Sequence, residues 1–514
     1  MDRYFPTLLH KIIFSIIAIG MMCGPLSGRT YYVDAEKGRD SRSGLSARKA
    51  WKSLEKVNKT ILKPGDAVRL KSGSVWHRQL YPQGSGKSGQ PIVIDKYGKG
   101  EKPVLNGLGA PFVIKLENQE YWDIRNLEIT NFNPDDSVSF KIGILIIAHD
   151  FGTVNSLHFS NLDIHHINGN IHPGDDASSK NNGGIFFEIS GNKTKTWFDD
   201  ILIENCYLYN IGRTGISIQS SWDKRTLDSN LTWIPSVNVK IRNNHFERIS
   251  GNGLIWRVSH KPIVEYNVFY QCGLHLSGNA MFFFNCDSAL GQNNEAYGTV
   301  YEPCESDASG FDADYRCKNT VFQYNYSHDN GSGAFVVCTN GGSSTAFQDG
   351  AVYRYNISQN ENREVFHLSG PLTNTKIYNN VIFLSEEKDS VKVIYHKSWG
   401  GYPDNTHYYN NVFYLLSPHV SYKLGKSTNN IFDANVFYGT HSLDEPEDFN
   451  KMVTDPGFIN VGSGAIGRKT LEGYQLKPDS PSIDSGREIS DNGDQDFWGN
   501  SLYKYKPDRG VHER

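Results

Sequence analysis

The feature that most limits how this chain can fold is an imperfect repeat running from about Tyr121 to about Gly439. Its unit is an Asn followed by alternating apolar residues, a Gly/Asn turn and a second alternating strand. The Asn-led pieces are Asn126-Leu127-Glu128-Ile129, Asn161-Leu162-Asp163-Ile164, Asn205-Cys206-Tyr207-Leu208, Asn244-His245-Phe246, Asn267-Val268-Phe269, Asn325-Tyr326, Asn356-Ile357, Asn380-Val381-Ile382, Asn411-Val412-Phe413 and Asn435-Val436-Phe437. Their spacing runs from the low twenties to the fifties, as a coil of about 23 residues with loop insertions would give. One such coil cannot bury its own apolar face, so the coils must stack into a solenoid. An Asn recurring at one corner predicts a ladder of side-chain amides, a structural duty.

The second strands can be laid in register: Gly143–Ile147, Gly184–Glu188, Gly215–Gln219, Gly253–Arg257, Ala280–Phe284, Gly310–Asp314 and Gly333–Val337. Alternation puts Ile144, Ile146, Ile185, Phe187, Leu254, Trp256, Phe311 and Ala313 on one uniformly apolar face, the expected core. The opposite face holds Phe186, Glu188, Ser217, Gln219, Ile255, Arg257, Phe282, Phe284, Asp312, Asp314 and Phe335. A strip mixing aromatic and charged side chains is what a saccharide groove needs. The long insertions Asn170–Asn182 and Asp287–Ser309 are candidate covers over it.

The flanks read differently. Tyr31-Tyr32-Val33-Asp34 predicts a strand, and Trp51, Leu54, Val57 and Ile61 predict a helix over 51–61 that plugs one end of the solenoid. Pro64-Gly65-Asp66 stops it before the strand Val68-Arg69-Leu70. At the other end Asp455-Pro456-Gly457-Phe458, Leu476–Pro481 and Asp496-Phe497-Trp498-Gly499 predict a loop-rich closing segment. The expected division is a signal peptide over 1–28, a cap and first coils over 29–120, the repeat with its groove over 121–440 and the closing segment over 441–514.

Arg3 and Lys11 border the apolar run Ile12–Met22, with Ser27 and Gly28 after it, the pattern of a secretory signal cleaved near Gly28. The expectation is a secreted, periplasmic or cell-surface protein without a transmembrane segment. Cys23 raises lipid attachment, which Met22 before it suits poorly. Cys206, Cys272, Cys286, Cys304, Cys317 and Cys338 are expected as buried free thiols, with Cys304 and Cys317 the one pair placed to bridge. Zinc-type Cys and His spacings are missing. With 52 Lys+Arg against 56 Asp+Glu and no basic stripe, nucleic acid is not an expected partner.

With repeat, cap and endings in view, the chain resembles bacterial secreted right-handed parallel β-helix proteins, a group holding polysaccharide lyases and several glycoside hydrolase families. Tyr31-Tyr32-Val33-Asp34, Pro64-Gly65-Asp66, Ser480-Pro481-Ser482-Ile483-Asp484 and Asp496-Phe497-Trp498-Gly499 carry the resemblance, which covers nearly the whole mature chain. It implies an all-β right-handed parallel β-helix and a polysaccharide or oligosaccharide substrate. It does not choose between hydrolysis and elimination, because one scaffold hosts both, and it transfers no catalytic residue.

The sharpest chemical signal is Gly310-Phe311-Asp312-Ala313-Asp314-Tyr315-Arg316. Alternation turns Asp312, Asp314 and Arg316 outward, with the two aspartate backbones about 6.7 Å apart. Paired carboxylates do the acid/base work of glycosidases, about 5–5.5 Å apart in retaining enzymes and about 6.5–9.5 Å in inverting ones, and two this close raise one another's pKa. Arg257, two coils earlier, could bind a substrate carboxylate. His328, in the turn entering the next coil, is a candidate proton shuttle, and Glu364 a further acid or base. Glu188, Gln219 and Trp222 read as distal sugar contacts, and Phe186, Phe282, Phe284 and Phe335 as stacking platforms. Glu295, Glu302, Glu305 and Asp307, in the second long insertion, offer alternative catalytic acids.

Three functions fit. The first is a glycoside hydrolase using Asp312 and Asp314, assisted by His328 or Glu364. The second is a lyase in which Arg257, Arg316 and His328 serve the elimination while the aspartates hold calcium. The third is a non-catalytic glycan-binding solenoid. No motif requires a cofactor, and calcium is the one ion the acidic strand could hold.

Overall fold

The computed structural model describes residues 28–514 apart from 135–139, 170, 172–178, 277, 304–306 and 504. The proposed signal, Cys304 and the candidate acid Glu305 therefore lie outside the described residues. The rest forms the right-handed parallel β-helix that the repeat predicts. Three long sheets of 14, 13 and 11 strands run the length of the molecule, and every pairing within them is parallel. Each coil contributes one strand to each sheet in turn, as Thr153–Ser160, Asp163–Ile167 and Gly183–Ser190 illustrate. Coiling begins earlier than the Asn repeat, since Thr30–Val33 already pairs with Ala67–Lys71.

The amide ladder is present and is more selective than the sequence suggested. Asn244, Asn267, Asn294, Asn325, Asn356, Asn380, Asn411 and Asn435 are stacked coil on coil, each Nδ2 donating to the Oδ1 of the next at 2.9–3.1 Å. From Asn267 on, each Oδ1 also accepts the preceding Asn's backbone N–H, while Asn244 Oδ1 accepts that of Cys206. Asn294, missing from the sequence alignment, splits the widest gap into two coils. Asn126, Asn161 and Asn205 are not rungs. They sit one residue earlier, at positive φ (59°, 52° and 55°), where Asn tolerates a left-handed turn. The ladder position itself is Leu127, Leu162 and Cys206 in those first coils, all buried.

The predicted core face is the interior: Ile144, Ile146, Ile185, Phe187, Leu254, Trp256, Phe311 and Ala313 all belong to one continuous cluster. Phe335, expected outside, is there too. It pairs with Phe311 and stacks between Phe311 and Phe366 inside the solenoid, so Val336 faces outward beside Asp312. The strand starts at Gly333, but Phe335 and not Ala334 stands opposite Phe311, and a register slip of one residue exchanges the faces.

The ends also differ from expectation. The helix covers only Leu54–Asn58, capped by Ser53, with Leu54 and Val57 buried and Trp51 stacked on Tyr31. Ile61 is exposed and bridges Gln83 instead of continuing the helix. Met452 pairs with Val436 beyond the last coil, but the remainder of the C-terminal segment turns back along the outside of the 13-stranded sheet. There Phe458, Leu471, Tyr474, Leu476, Phe497 and Val511 pack on Tyr326, Ile357, Val381 and Val412. No helix among the described residues is long and apolar enough to cross a membrane. Cys206, Cys272, Cys286, Cys317 and Cys338 are free thiols.

Candidate active site

The outer face of the 11-stranded sheet carries two columns of side chains. One runs Phe186, Ser217, Ile255, Phe282, Asp312, Val336, His367, Tyr395, one residue per coil. The other holds Glu188 beside Gln219, Arg257 beside Phe284, and Cys338 followed by Ser369 and Lys397, with Asp314 directly after the paired strand Phe311–Ala313. Thus Arg257 does precede Asp314 by two coils. Where the columns pass Phe282 to Ser369 they floor a cavity of about 630 Å³. Its walls come from three connecting segments: Lys180, whose ammonium lies 5.6 Å from the Phe282 ring; Asp307; and Ser398-Trp399, with Trp399 edge-on to Tyr315.

The two aspartates both reach this cavity. Asp312 is buried, and its Oδ2 accepts from Asn279 Nδ2 at 2.9 Å. Asp314 is partly exposed and accepts from the Tyr315 N–H at 2.7 Å and the Cys338 thiol at 3.1 Å. One atom each of Asp312, Asp314 and Cys338 lies within 4.8 Å of the others. Burial, then the Asp314 and Asp307 carboxylates, push Asp312 well above the usual carboxylate range. Burial raises Asp314 to about 6, against the opposing thiol and amide hydrogen bonds. The group is therefore a close, electrostatically interacting cluster with one member titrating near neutrality. It suits calcium poorly, since a hard ion takes six to eight oxygen ligands and this trio includes a sulfur.

Arg257 lines the cavity while its guanidinium donates to the Ile218 carbonyl at 2.8 Å, and burial lowers it to about 10. Phe282 and Phe284 line it too, and with Tyr315 and Trp399 they make an aromatic wall. Other expected members lie elsewhere. Beyond Ala313 the strand gives way to a turn, so Arg316 swings out to Asp223 and over the Phe284 ring, into a shallow neighbouring depression that Gln219 shares. Trp222 packs against the core, Phe186 is outward but covered, and Glu188 lies farther up the second column, outside the cavity lining.

Two proposed acid/base groups are displaced more decisively. His328 belongs to the 13-stranded sheet, wedged between the Tyr297 and Tyr326 rings and bonded to Glu295 and Asp329. It cannot serve the aspartates, because the connection after Tyr326–His328 turns the chain onto a different face. His367 Nδ1 lies 3.0 Å from Glu364 and Lys392 is ion-paired with it at 2.8 Å, and these neighbours hold it at about 2 against the upward pull of burial; a fixed carboxylate of that kind does not exchange protons near neutrality. The cavity members that the sequence reading missed are Cys338, His367 and Ser369, together with Lys180 and Lys397–Trp399. The strand Glu364–Ser369 was open to the same alternation argument, since Phe366 stacks on Phe335 and so turns His367 outward.

No family profile matches the chain. A lacto-N-biosidase from Bifidobacterium longum subsp. longum is 26% identical over an alignment taking in 95% of this chain and 36% of that protein, so the chain spans about a third of its curated relative. Among solved structures, a GH136 lacto-N-biosidase from Eubacterium ramulus is similar with a TM-score of 0.62 at 24% identity, covering 79% of this chain and 67% of that one. XylC in complex with xylose gives a TM-score of 0.50 at 12% identity, covering 94% and 98%. The structural likenesses agree with the parallel coil described above.

Proposed function

We propose that this chain is an exported glycoside hydrolase whose active site is the cavity over Asp312 and Asp314. The observation that carries the proposal is the grouping of Asp307, Asp312 and Asp314 in one aromatic-walled cavity, with Asp314 titrating at about 6. Three carboxylates so close are not all ionised at neutral pH, and the acid/base pair of a glycosidase needs that division of protonation states. Asp314, partly exposed, is assigned the general acid/base role. Asp307 reaches the same cavity from the segment before the strand Phe311–Ala313 and lies near enough to raise both Asp312 and Asp314, so it is assigned with Asp314 to the reacting pair. Asp312 sits at the floor beside Asn279, where burial favours its protonated form, and its single O–H is assigned to the substrate.

The lyase reading loses its proposed base with His328 and one of its two arginines with Arg316. The aromatic wall alone would serve a binding protein, but crowding three acids into one cavity, with Asp312 buried, costs stability that binding does not require. Similarity to lacto-N-biosidases makes a lacto-N-bioside the first substrate to try. The purified protein should release nitrophenol from a p-nitrophenyl lacto-N-bioside, or reducing ends from a glycan panel, without the absorbance of unsaturated uronate. Appearance of that chromophore, or full activity in Asp314→Asn, would overturn the proposal. The anomeric form first released then tells whether Asp307 attacks the sugar or activates water.

A further inference from the structure

His367 is a built feature of the cavity with no task in the reaction just described. It occupies Asp312's own column two coils farther on, about 10 Å away at roughly 4.8 Å per coil. The ring is buried, stacked on Tyr395 at 5.1 Å between centroids, and it lines the same cavity. Nδ1 lies 3.0 Å from Glu364 Oε2, a close charge contact not well aligned as a hydrogen bond. Nε2 has no hydrogen-bond partner among the described residues.

Charge bookkeeping decides what the ring can offer. Glu364 is already neutralised by Lys392 at 2.8 Å, and Lys392 itself sits 4.2 Å from the Tyr395 ring centroid. The pair needs no imidazolium to balance it. A carboxylate beside Nδ1 draws the single proton of a neutral imidazole to that nitrogen and leaves Nε2 as a bare acceptor. A buried acceptor without a donor is costly unless a ligand supplies one. Sugar hydroxyls are such donors, and the distance from Asp312 places that hydroxyl beyond the reacting ring.

We infer that His367 is a substrate-binding residue that recognises a hydroxyl on the glycan unit next to the one that reacts, accepting its hydrogen bond at Nε2, with Glu364 as the positioning residue that fixes the tautomer. The inference rests on the glycoside hydrolase reading above.

The test combines kinetics with ¹⁵N-histidine NMR on the whole chain. His367→Ala should raise KM for the p-nitrophenyl lacto-N-bioside at least about tenfold with kcat within about threefold, the signature of lost binding common to ground and transition states. His367→Gln, which returns an acceptor near the same point, should recover part of that loss. Spectra of Asp314→Asn should show His367, assigned by difference with His367→Gln, with its proton on Nδ1, and saturation with the glycoside should move the Nε2 resonance. In Glu364→Gln the tautomer preference should weaken and KM rise. A proton found on Nε2 in the free protein, an Nε2 signal indifferent to bound glycoside, or an unmoved KM in His367→Ala during normal wild-type turnover each sinks this inference alone. A wild-type protein inert towards the glycoside and the whole glycan panel sinks it together with the hydrolase reading.

Discussion

Two acidic clusters, each with a histidine, sit on the outside of the same solenoid and have come to opposite ends. On the 11-stranded sheet, Asp307, Asp312, Asp314 and His367 line a cavity, with an unpaired imidazole nitrogen and a carboxyl near its titration point. On the 13-stranded sheet, His328 is bonded through both ring nitrogens, to Glu295 at 3.2 Å and Asp329 at 2.9 Å. Nearby Glu361 accepts from Ser327 and Asn330. The second cluster is then sealed by the chain itself, since the Gly467 N–H donates to Glu295 at 2.7 Å. Residue types are alike in the two places. What differs is whether the hydrogen-bonding capacity is spent within the protein, and that separates a site from a structural joint.

Four experiments press on this contrast. The largest effect should come from Asp314→Asn, expected to cut kcat by about 10²–10⁴-fold, the usual worth of a general acid/base, while His328→Gln leaves the kcat of folded protein unchanged. Loss of turnover in the His328 variant would erase the distinction. Next, Phe335→Ala should destabilise by about 3–5 kcal/mol as a core deletion, whereas Phe284→Ala on the cavity side should cost less than about 1 kcal/mol and instead raise KM. Urea midpoints and initial rates read both. Third, Glu295→Ala, which strips His328 and Gly467 of a buried acceptor, should cost about 1–3 kcal/mol with kcat intact. The smallest effect is a pH slope. Asp314 binds its proton more tightly folded than unfolded, so between about pH 4 and 6 the folded state holds more protons and stability falls as pH rises through that window. Asp314→Asn should lessen the slope by its own share, on the order of 1–2 kcal/mol after allowance for its partial exposure, and chemical denaturation of both proteins at pH 4 and 7 will show whether it does.

The contrast also explains what the sequence could show. Period-two alternation is a property of neighbouring residues, so it located the interior from Ile144 to Ala313 and turned Asp312 and Asp314 to the same side without any structure. It fails at Phe335 because setting Gly333 level with Gly310 is one residue off the register that pairs Phe335 with Phe311. The fate of His328 was not legible, because the segment that closes over its cluster comes more than 130 residues later and bears no repeat. Lys180 and Trp399 were missed for a related reason: connecting segments carry no period to read. His367 was within reach, one coil beyond the last strand aligned.

The returning C-terminal segment has a consequence for how the molecule comes apart. A bare solenoid holds each coil only by its two neighbours, and its terminal coils can peel away one at a time. Here a single stretch of chain contacts coils from Glu295 to Val436, by Gly467 at one extreme and the residues around Val511 near the other. Fraying at that end must first lift this lashing from several coils together, so the half of the molecule bearing the cavity should open as one block.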